Sequence, residues 1–181
     1  TLKDNNLIID KGKSSEHILM ADMTEDEQRD YNIIVGKIKE DYLNSLIKKG
    51  IEGFTYYKED VLIGKNVKIY PTADITGPCI IGNNVEVRPG AFIRGSVLVG
   101  DNSVLGNSSE FKNCVLMNHC QCPHYNYVGD SILGNFAHTG AGSICSNLRS
   151  DKQLITIHGE KDYPTGIKKI GAILGDYADI G

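Results

Sequence analysis

Large apolar residues recur at every sixth position from Ile63 onward: Ile69, Ile75, Ile81, Val87, Ile93, Val99, Leu105, Phe111 and Met117, with Pro123 closing the run. Four residues after most of them stands a small or β-branched residue, among them Val67, Ala73, Cys79, Val85, Ala91 and Val97. Gly64, Gly82, Gly100 and Gly106 directly follow the apolar position, and Asn66, Asn84 and Asn102 share one place in the repeat. A helix repeats every 3.6 residues and a half-buried strand every two, so neither yields a period of six. A three-sided coil does. Each hexad makes a short strand and a corner, the large residue points inward, and Gly or Asn accepts the left-handed corner. The pattern predicts an all-β repeat: a left-handed parallel β-helix of hexapeptide repeats over 61–181, its coils stacked about 4.8 Å apart. Ile63, Ile81, Val99 and Met117 are expected to form one internal column. A β-sandwich would show irregular strands with turns every 8–12 residues or so instead.

The hexad slips after Pro123, because the next inward positions are Leu133, Thr139 and Cys145. A departure from the ideal coil is therefore expected between His124 and Ser131. Residues 148–170 lack the hexad and carry five Lys/Arg residues, which reads as a loop thrown out of the coil. The repeat resumes at Leu174-Gly175 and Ile180-Gly181. Ahead of the coil, residues 1–60 read as a tail and a helical cap. Thr24-Glu25-Asp26-Glu27 has capping-box form. Tyr31, Ile34, Val35, Ile38, Tyr42, Leu46 and Ile47 follow at helical spacing, which predicts a helix over 24–49 packed as an end cap of the coil. The chain starts without methionine and stops in mid-pattern, so both ends are expected to be processing or cloning boundaries.

Composition narrows the function classes. The formal charge is −4 over 181 residues, which lacks the basic footprint of a nucleic-acid binder. No apolar run approaches the roughly 20 residues of a membrane span, and no secretory segment opens the chain. The five cysteines form no disulfide-framework pattern, which favours a reducing cytoplasm.

Candidate chemistry concentrates in 106–147, where polar residues, aromatics and histidines gather around the slip. Three motifs stand out: Gly106-Asn-x-x-Glu110-x-Lys112-Asn, then Pro123-His124-x-x-Tyr127-x-Gly-Asp130, then Gly140-Ala141-Gly142-x-Ile-x-x-Asn147. Together they resemble the acetyltransferase half of the bifunctional UDP-N-acetylglucosamine pyrophosphorylase/glucosamine-1-phosphate acetyltransferase family. The β-helix halves of related sugar-1-phosphate nucleotidylyltransferases are closer still. The resemblance covers about residues 60–181. It implies transfer of acetyl from acetyl-CoA to the amino group of a glucosamine-1-phosphate-like sugar phosphate or a nucleotide sugar, by a homotrimer. It implies His124 as catalytic base, Glu110 as the carboxylate orienting it, and Asn147 as a group on the acetyl donor and reacting amine. It places Lys112 and Tyr127 on the sugar phosphate, with Arg94 (or Arg88, from its Arg-Pro-Gly context) as the site's arginine. His138 stands where the bifunctional enzyme has a sugar-contacting asparagine. Nothing in the chain resembles the Gly-rich nucleotide loop of the pyrophosphorylase half.

These residue types suit that chemistry. An amine must lose a proton as it attacks a thioester, and a histidine with a pKa near 6.5 takes it at neutral pH, worth roughly 10²–10⁴-fold. A carboxylate fixes the imidazole tautomer, while Lys, Arg and a phenol suit a phosphate. Backbone N–H groups at Ala141 and Gly142 are expected to approach the thioester oxygen. Zinc at His119-Cys120-Gln121-Cys122-Pro123-His124 is the rival constellation, but Cys-x-Cys needs further ligands and lies at strand spacing. No metal is therefore expected. A carbonic-anhydrase-like β-helix would need histidine spacing that His119, His124 and His138 lack. A β-helix retained for oligomerisation or sugar-nucleotide sensing is the non-catalytic alternative, and His138 favours it.

Overall fold

The computed structural model describes residues 40–181, in which one helix precedes a stack of parallel coils. Helix α1 (Glu40–Lys49) buries Leu43 and Ile47, four residues apart, and carries Lys48 and Lys49 in its last turn, where cations complement the helix dipole. It stops at Gly50, whose φ of 75° lets its N–H bond back to Ile47 O at 3.0 Å. The part of the expected helix before Glu40, its capping box included, lies outside the described residues.

Twenty short strands follow, and all but three of them build the three walls of a tube. The first wall stacks β2 (Val61–Ile63), β5 (Cys79–Ile81), β8 (Val97–Val99), β11 (Cys114–Leu116), β14 (Ile132–Leu133) and β19 (Ile173–Leu174). The second stacks β3 (Lys68–Ile69), β6 (Glu86–Val87), β9 (Val104–Asn107), β12 (Gln121–His124), β15 (His138–Thr139) and β20 (Asp179–Ile180). The third stacks β4 (Asp74–Thr76), β7 (Phe92–Arg94), β10 (Glu110–Lys112), β13 (Tyr127–Gly129) and β16 (Ile144–Cys145). Every rung within these walls is parallel, so this is a parallel β-helix. Strand β1 (Thr55–Lys58) pairs antiparallel with β2 and occupies the first edge.

The tube interior is the core predicted from the hexad: Ile75, Ile81, Val87, Ile93, Val99, Leu105 and Phe111 are all essentially inaccessible. The column then departs from expectation. Val99 pairs with Leu116, not Met117, and Leu105 pairs with Cys122, not Pro123. Coils of 18 residues become coils of 17 at this point, as Val97 pairs with Cys114 and Glu110 with Tyr127. Two single-residue shortenings therefore occur: one inside the expected interval between His124 and Ser131, and an earlier one that the hexad does not indicate. Both fall at the corner between the third and first walls, at Asn113 and at Asp130, each with left-handed φ (47° and 50°).

The corner between the first and second walls carries Asn66, Asn84 and Asn102 at φ of 56°, 55° and 58°, linked by amide hydrogen bonds of 3.1 Å. His119, Phe136 and Tyr177 continue the same left-handed position, and their rings stack at 4.4 and 5.0 Å. Stacking of about 0.5–1.5 kcal/mol per pair offsets the strain of bulky residues in that conformation.

The described part of the helix, Glu40–Lys49, lies against the side of the tube. Leu43 and Ile47 lie on outward residues of the first wall, Leu62 and Ile80, with Leu98 at their margin. Farther along, Val115 and Ile132 are covered by Ile155, Ile157, Ile167 and Ile170 of the excursion. The first wall is apolar on both faces, so α1 and the excursion share the work of shielding its outside. The excursion holds its own hairpin, β17 (Thr156–His158) with β18 (Asp162–Pro164). Its ends close on the tube: Leu148 bridges Lys169, Ile170 N donates to Asn147 O at 3.1 Å, and Gly171 N to Asp130 O at 2.8 Å.

Candidate functional site

The outward face of the third wall gathers most of the expected residues. Register stacks Asp74, Phe92, Glu110, Tyr127 and Ile144 in one column, because residues one coil apart must sit side by side. Two positions along each strand stand Arg94 and Lys112, both at least partly exposed. Arg94 Nη1 meets Glu110 Oε1 at 2.5 Å, and its guanidinium lies 5.8 Å from the Phe92 ring centre. The hydrogen bond to Glu110 is the main reason the Arg94 pKa is raised. Arg88, the other candidate, follows β6 on the second wall and pairs with Glu86 at 3.3 Å, away from this column.

Beside them is a polar stack at the shortened corner. Asn113, Asp130 and Asn147 are each 17 residues apart and lie one above another. Asn113 Nδ2 donates to Asp130 Oδ1 at 2.7 Å, and Asn147 Nδ2 donates to Asp130 Oδ2 at 2.5 Å. Asn147 Nδ2 also donates to Tyr127 Oη at 3.1 Å. Burial, the leading cause, raises the Tyr127 pKa; the Asn147 hydrogen bond opposes it and the nearby Asp130 charge adds to it. The phenol therefore stays protonated at neutral pH. Gly129 leaves room for this arrangement: a Cβ there would press first on Tyr127 Oη and would stand 2.7 Å from Tyr127 Cζ and 2.8 Å from Asn147 Nδ2. A shallow cavity of about 270 Å³ opens alongside, walled by Asn147, Leu148, Arg149, Ile155, His158 and Ile170 among others.

His124 ends β12 on the second wall, exposed, opposite Asn107 in register. Its ring has no hydrogen-bond or ion-pair partner among the described residues. The expected contact with Glu110 is not formed, because the two residues occupy different walls and Glu110 is held by Arg94. The His124 backbone is well anchored: its N–H donates to Asn126 Oδ1 at 3.1 Å, and its carbonyl accepts from Gly142 N at 3.1 Å. That last bond removes Gly142 from the expected oxyanion donors. Gly140 N is likewise bonded to Ile180 O, which leaves Ala141 N–H as the unengaged donor of the triplet among the described residues. Gly142 itself has φ of 78° with open space around it, so glycine serves the corner conformation there.

His138 begins β15, in register with Gln121 and Asp179, and its Nδ1 lies 2.7 Å from Asp179 Oδ1. Cys120 and Cys122 point into the tube and are wholly buried, whereas His124 lies outside it, so the rival zinc constellation is divided by the wall itself. Desolvation pushes both thiols up to about 12. Sequence reasoning assigns no role to Asp130 or Asn113. The 17-residue spacing of Asn113, Asp130 and Asn147 is the available signal, hidden by the expectation of 18-residue coils.

Among the described residues no helix is long and apolar enough to cross a membrane. Several known proteins are similar to part of this chain. A "Bifunctional protein GlmU" of Methanococcus vannielii is 38% identical over 77 residues, 42% of this chain and 19% of that protein. A "Bifunctional sugar-1-phosphate nucleotidylyltransferase/acetyltransferase" of Sulfurisphaera tokodaii is 35% identical over 78 residues, 42% of this chain and 20% of its own length. YaiX of Escherichia coli, named as a putative uncharacterized acetyltransferase, is 37% identical over 123 residues, 67% of this chain and 54% of that protein. The similarity thus spans about a fifth of the first two relatives and about half of the third. The family model described as the GMPPB C-terminal domain matches residues 75–180, and the chain belongs to that family.

Proposed function

We propose that this chain is an acyltransferase that moves acetyl from acetyl-CoA to the amino group of a sugar phosphate or nucleotide sugar, acting in the cytoplasm as a homotrimer. The observation that carries the reading is the third wall. Arg94, Lys112, Tyr127 and Asn147 stand on or beside one outward face, and an unengaged histidine waits at the neighbouring corner. The names of the relatives support the same class, since one joins acetyl transfer to sugar-1-phosphate chemistry and another carries acetyl transfer alone.

In this mechanism Arg94, Lys112 and the Tyr127 hydroxyl hold the phosphate. Asn147 accepts a hydrogen bond from the amine. The amine attacks the thioester carbonyl, His124 takes the proton, and the C–S bond breaks to release coenzyme A thiolate, which is reprotonated. Ala141 N–H is the donor available to the developing oxyanion. Glu110 acts by holding the Arg94 guanidinium in place. The test is thiol release from acetyl-CoA in the presence of glucosamine-1-phosphate. Wild type should turn over and His124→Ala should lose at least about 10²-fold; full turnover by the alanine variant removes His124 from the mechanism.

A second reading, a non-catalytic sensing or assembly module, is favoured by Glu110 being committed to Arg94 and His138 to Asp179. Calorimetry with acetyl-CoA and sugar phosphates separates them: heat of binding without turnover supports the module.

A further inference from the structure

Asp130 is buried, at 8% exposure, yet its carboxylate pairs with no cation among the described residues. Both oxygens are instead taken by side-chain amides: Oδ1 by Asn113 and Oδ2 by Asn147. The amide end of Asn147 that faces Asp130 is the NH2, which donates to the carboxylate oxygen. The second hydrogen of that NH2 goes to Tyr127 Oη at 3.1 Å, which makes the phenol oxygen an acceptor and leaves its own proton free to donate elsewhere. Asn147 Oδ1 is left without a protein partner among the described residues, and Asn147 walls the adjoining cavity.

We propose that Asp130 is a positioning residue that sets the hydrogen-bond polarity of the site: it fixes Asn147 to present an acceptor and Tyr127 to present a donor. The inference rests on the acetyl-transfer reading for what it implies about substrate. The ligand must bring an N–H toward Asn147 and an oxygen acceptor toward Tyr127, which is the pairing of an amine with a phosphate oxygen. The two one-residue shortenings of the coil are what stack Asn113, Asp130 and Asn147 closely enough for the chain of amides to form.

The experiment compares Asp130→Asn with the paired exchange Asn113→Asp plus Asp130→Asn. In the single variant the amides at 113, 130 and 147 are free to turn, and kcat/KM for the amino sugar phosphate should fall about 10–100-fold. In the double variant the carboxylate moves one coil down. The amide introduced at position 130 then donates to the carboxylate introduced at position 113 and turns its oxygen to Asn147. That restores the wild-type orientation, and kcat/KM should recover to within about fivefold. Wild-type activity in the single variant, or no recovery in a double variant that melts like wild type, overturns the proposal. Side-chain amide exchange of Asn147, followed by NMR in the wild-type chain, reads the orientation without catalysis. Slowed exchange of both hydrogens is expected, and free exchange would overturn the proposal. If Asn147 is protected but acetyl transfer is absent, the acyltransferase reading fails and the positioning role stands.

Discussion

Replacing Gly129 by alanine separates geometry from stability at the candidate site. The glycine is not in the left-handed region, so alanine meets no backbone strain, and the lost flexibility of the unfolded chain contributes about 0.4–1 kcal/mol in its favour. Its Cβ, however, would stand 2.7 Å from Tyr127 Cζ and 2.8 Å from Asn147 Nδ2. The nearest obstruction is Tyr127 Oη, so restoring ordinary contact near 3.4 Å moves the phenol by about 1 Å, and a misplacement of about 1 Å costs on the order of 10²-fold in rate. Both obstructing groups are side-chain ends at a partly exposed wall, so they yield without unpacking the tube, and overpacking of about 1–2 kcal/mol is largely offset. The expected outcome is a melting temperature within about 4 °C of wild type and a kcat/KM lower by about 30–100-fold, measured by thiol release. An alanine variant with wild-type turnover refutes the argument. So does one whose activity falls only as its melting transition collapses, because the loss would then be unfolding.

Four further outcomes follow from the same geometry. Phe111 is wholly buried in the tube, and Phe111→Ala should cost about 3–5 kcal/mol in denaturant unfolding; a loss under about 1 kcal/mol would mean the coils close over the gap. Ile157→Asp should detach the excursion from Val115 and Ile132 and expose 149–168 to limited proteolysis, with unchanged protection arguing against that docking. Asp151, beside Arg149, is lowered from 3.8 to about 2, so its pairing stabilises the folded loop above pH 3.8 and is lost as pH falls through about 2. An NMR titration giving an ordinary carboxylate value would contradict that. All five cysteines are free and buried, and desolvation raises each, so a thiol reagent should label none of them before unfolding.

The hexad makes the tube legible as far as Phe111, since a large apolar residue fills every inward position there while the outward neighbours vary. It misleads at the next column because Leu116 and Met117 are both large and apolar, and a one-residue shortening at Asn113 leaves no apolar gap to betray it. That small error propagates into the site. It hides the 17-residue stack of Asn113, Asp130 and Asn147; Glu110 and His124 occupy adjoining walls at either coil length, because His124 lies three residues before Tyr127, the register partner of Glu110. The helix reads as a cap because its stripe is visible in the sequence and its target is not. The target is the outward residues Leu62, Ile80 and Leu98 of an apolar series that Val115 and Ile132 continue beneath the excursion. His138 stands out in the sequence as an oddity, but its Asp179 partner is 41 residues away and unreadable without the excursion's closure.

The acetyl-transfer reading depends on whether this wall handles an amine and a thioester together. Incubating the chain with isotopically labelled acetyl-CoA and glucosamine-1-phosphate, then identifying the product by mass spectrometry, measures that directly. The labelled acetyl group should appear on the sugar nitrogen, and the signal should vanish with His124→Ala. Label that stays on coenzyme A across the amino-sugar phosphates, while those ligands still bind, would contradict acetyl transfer and leave a binding module.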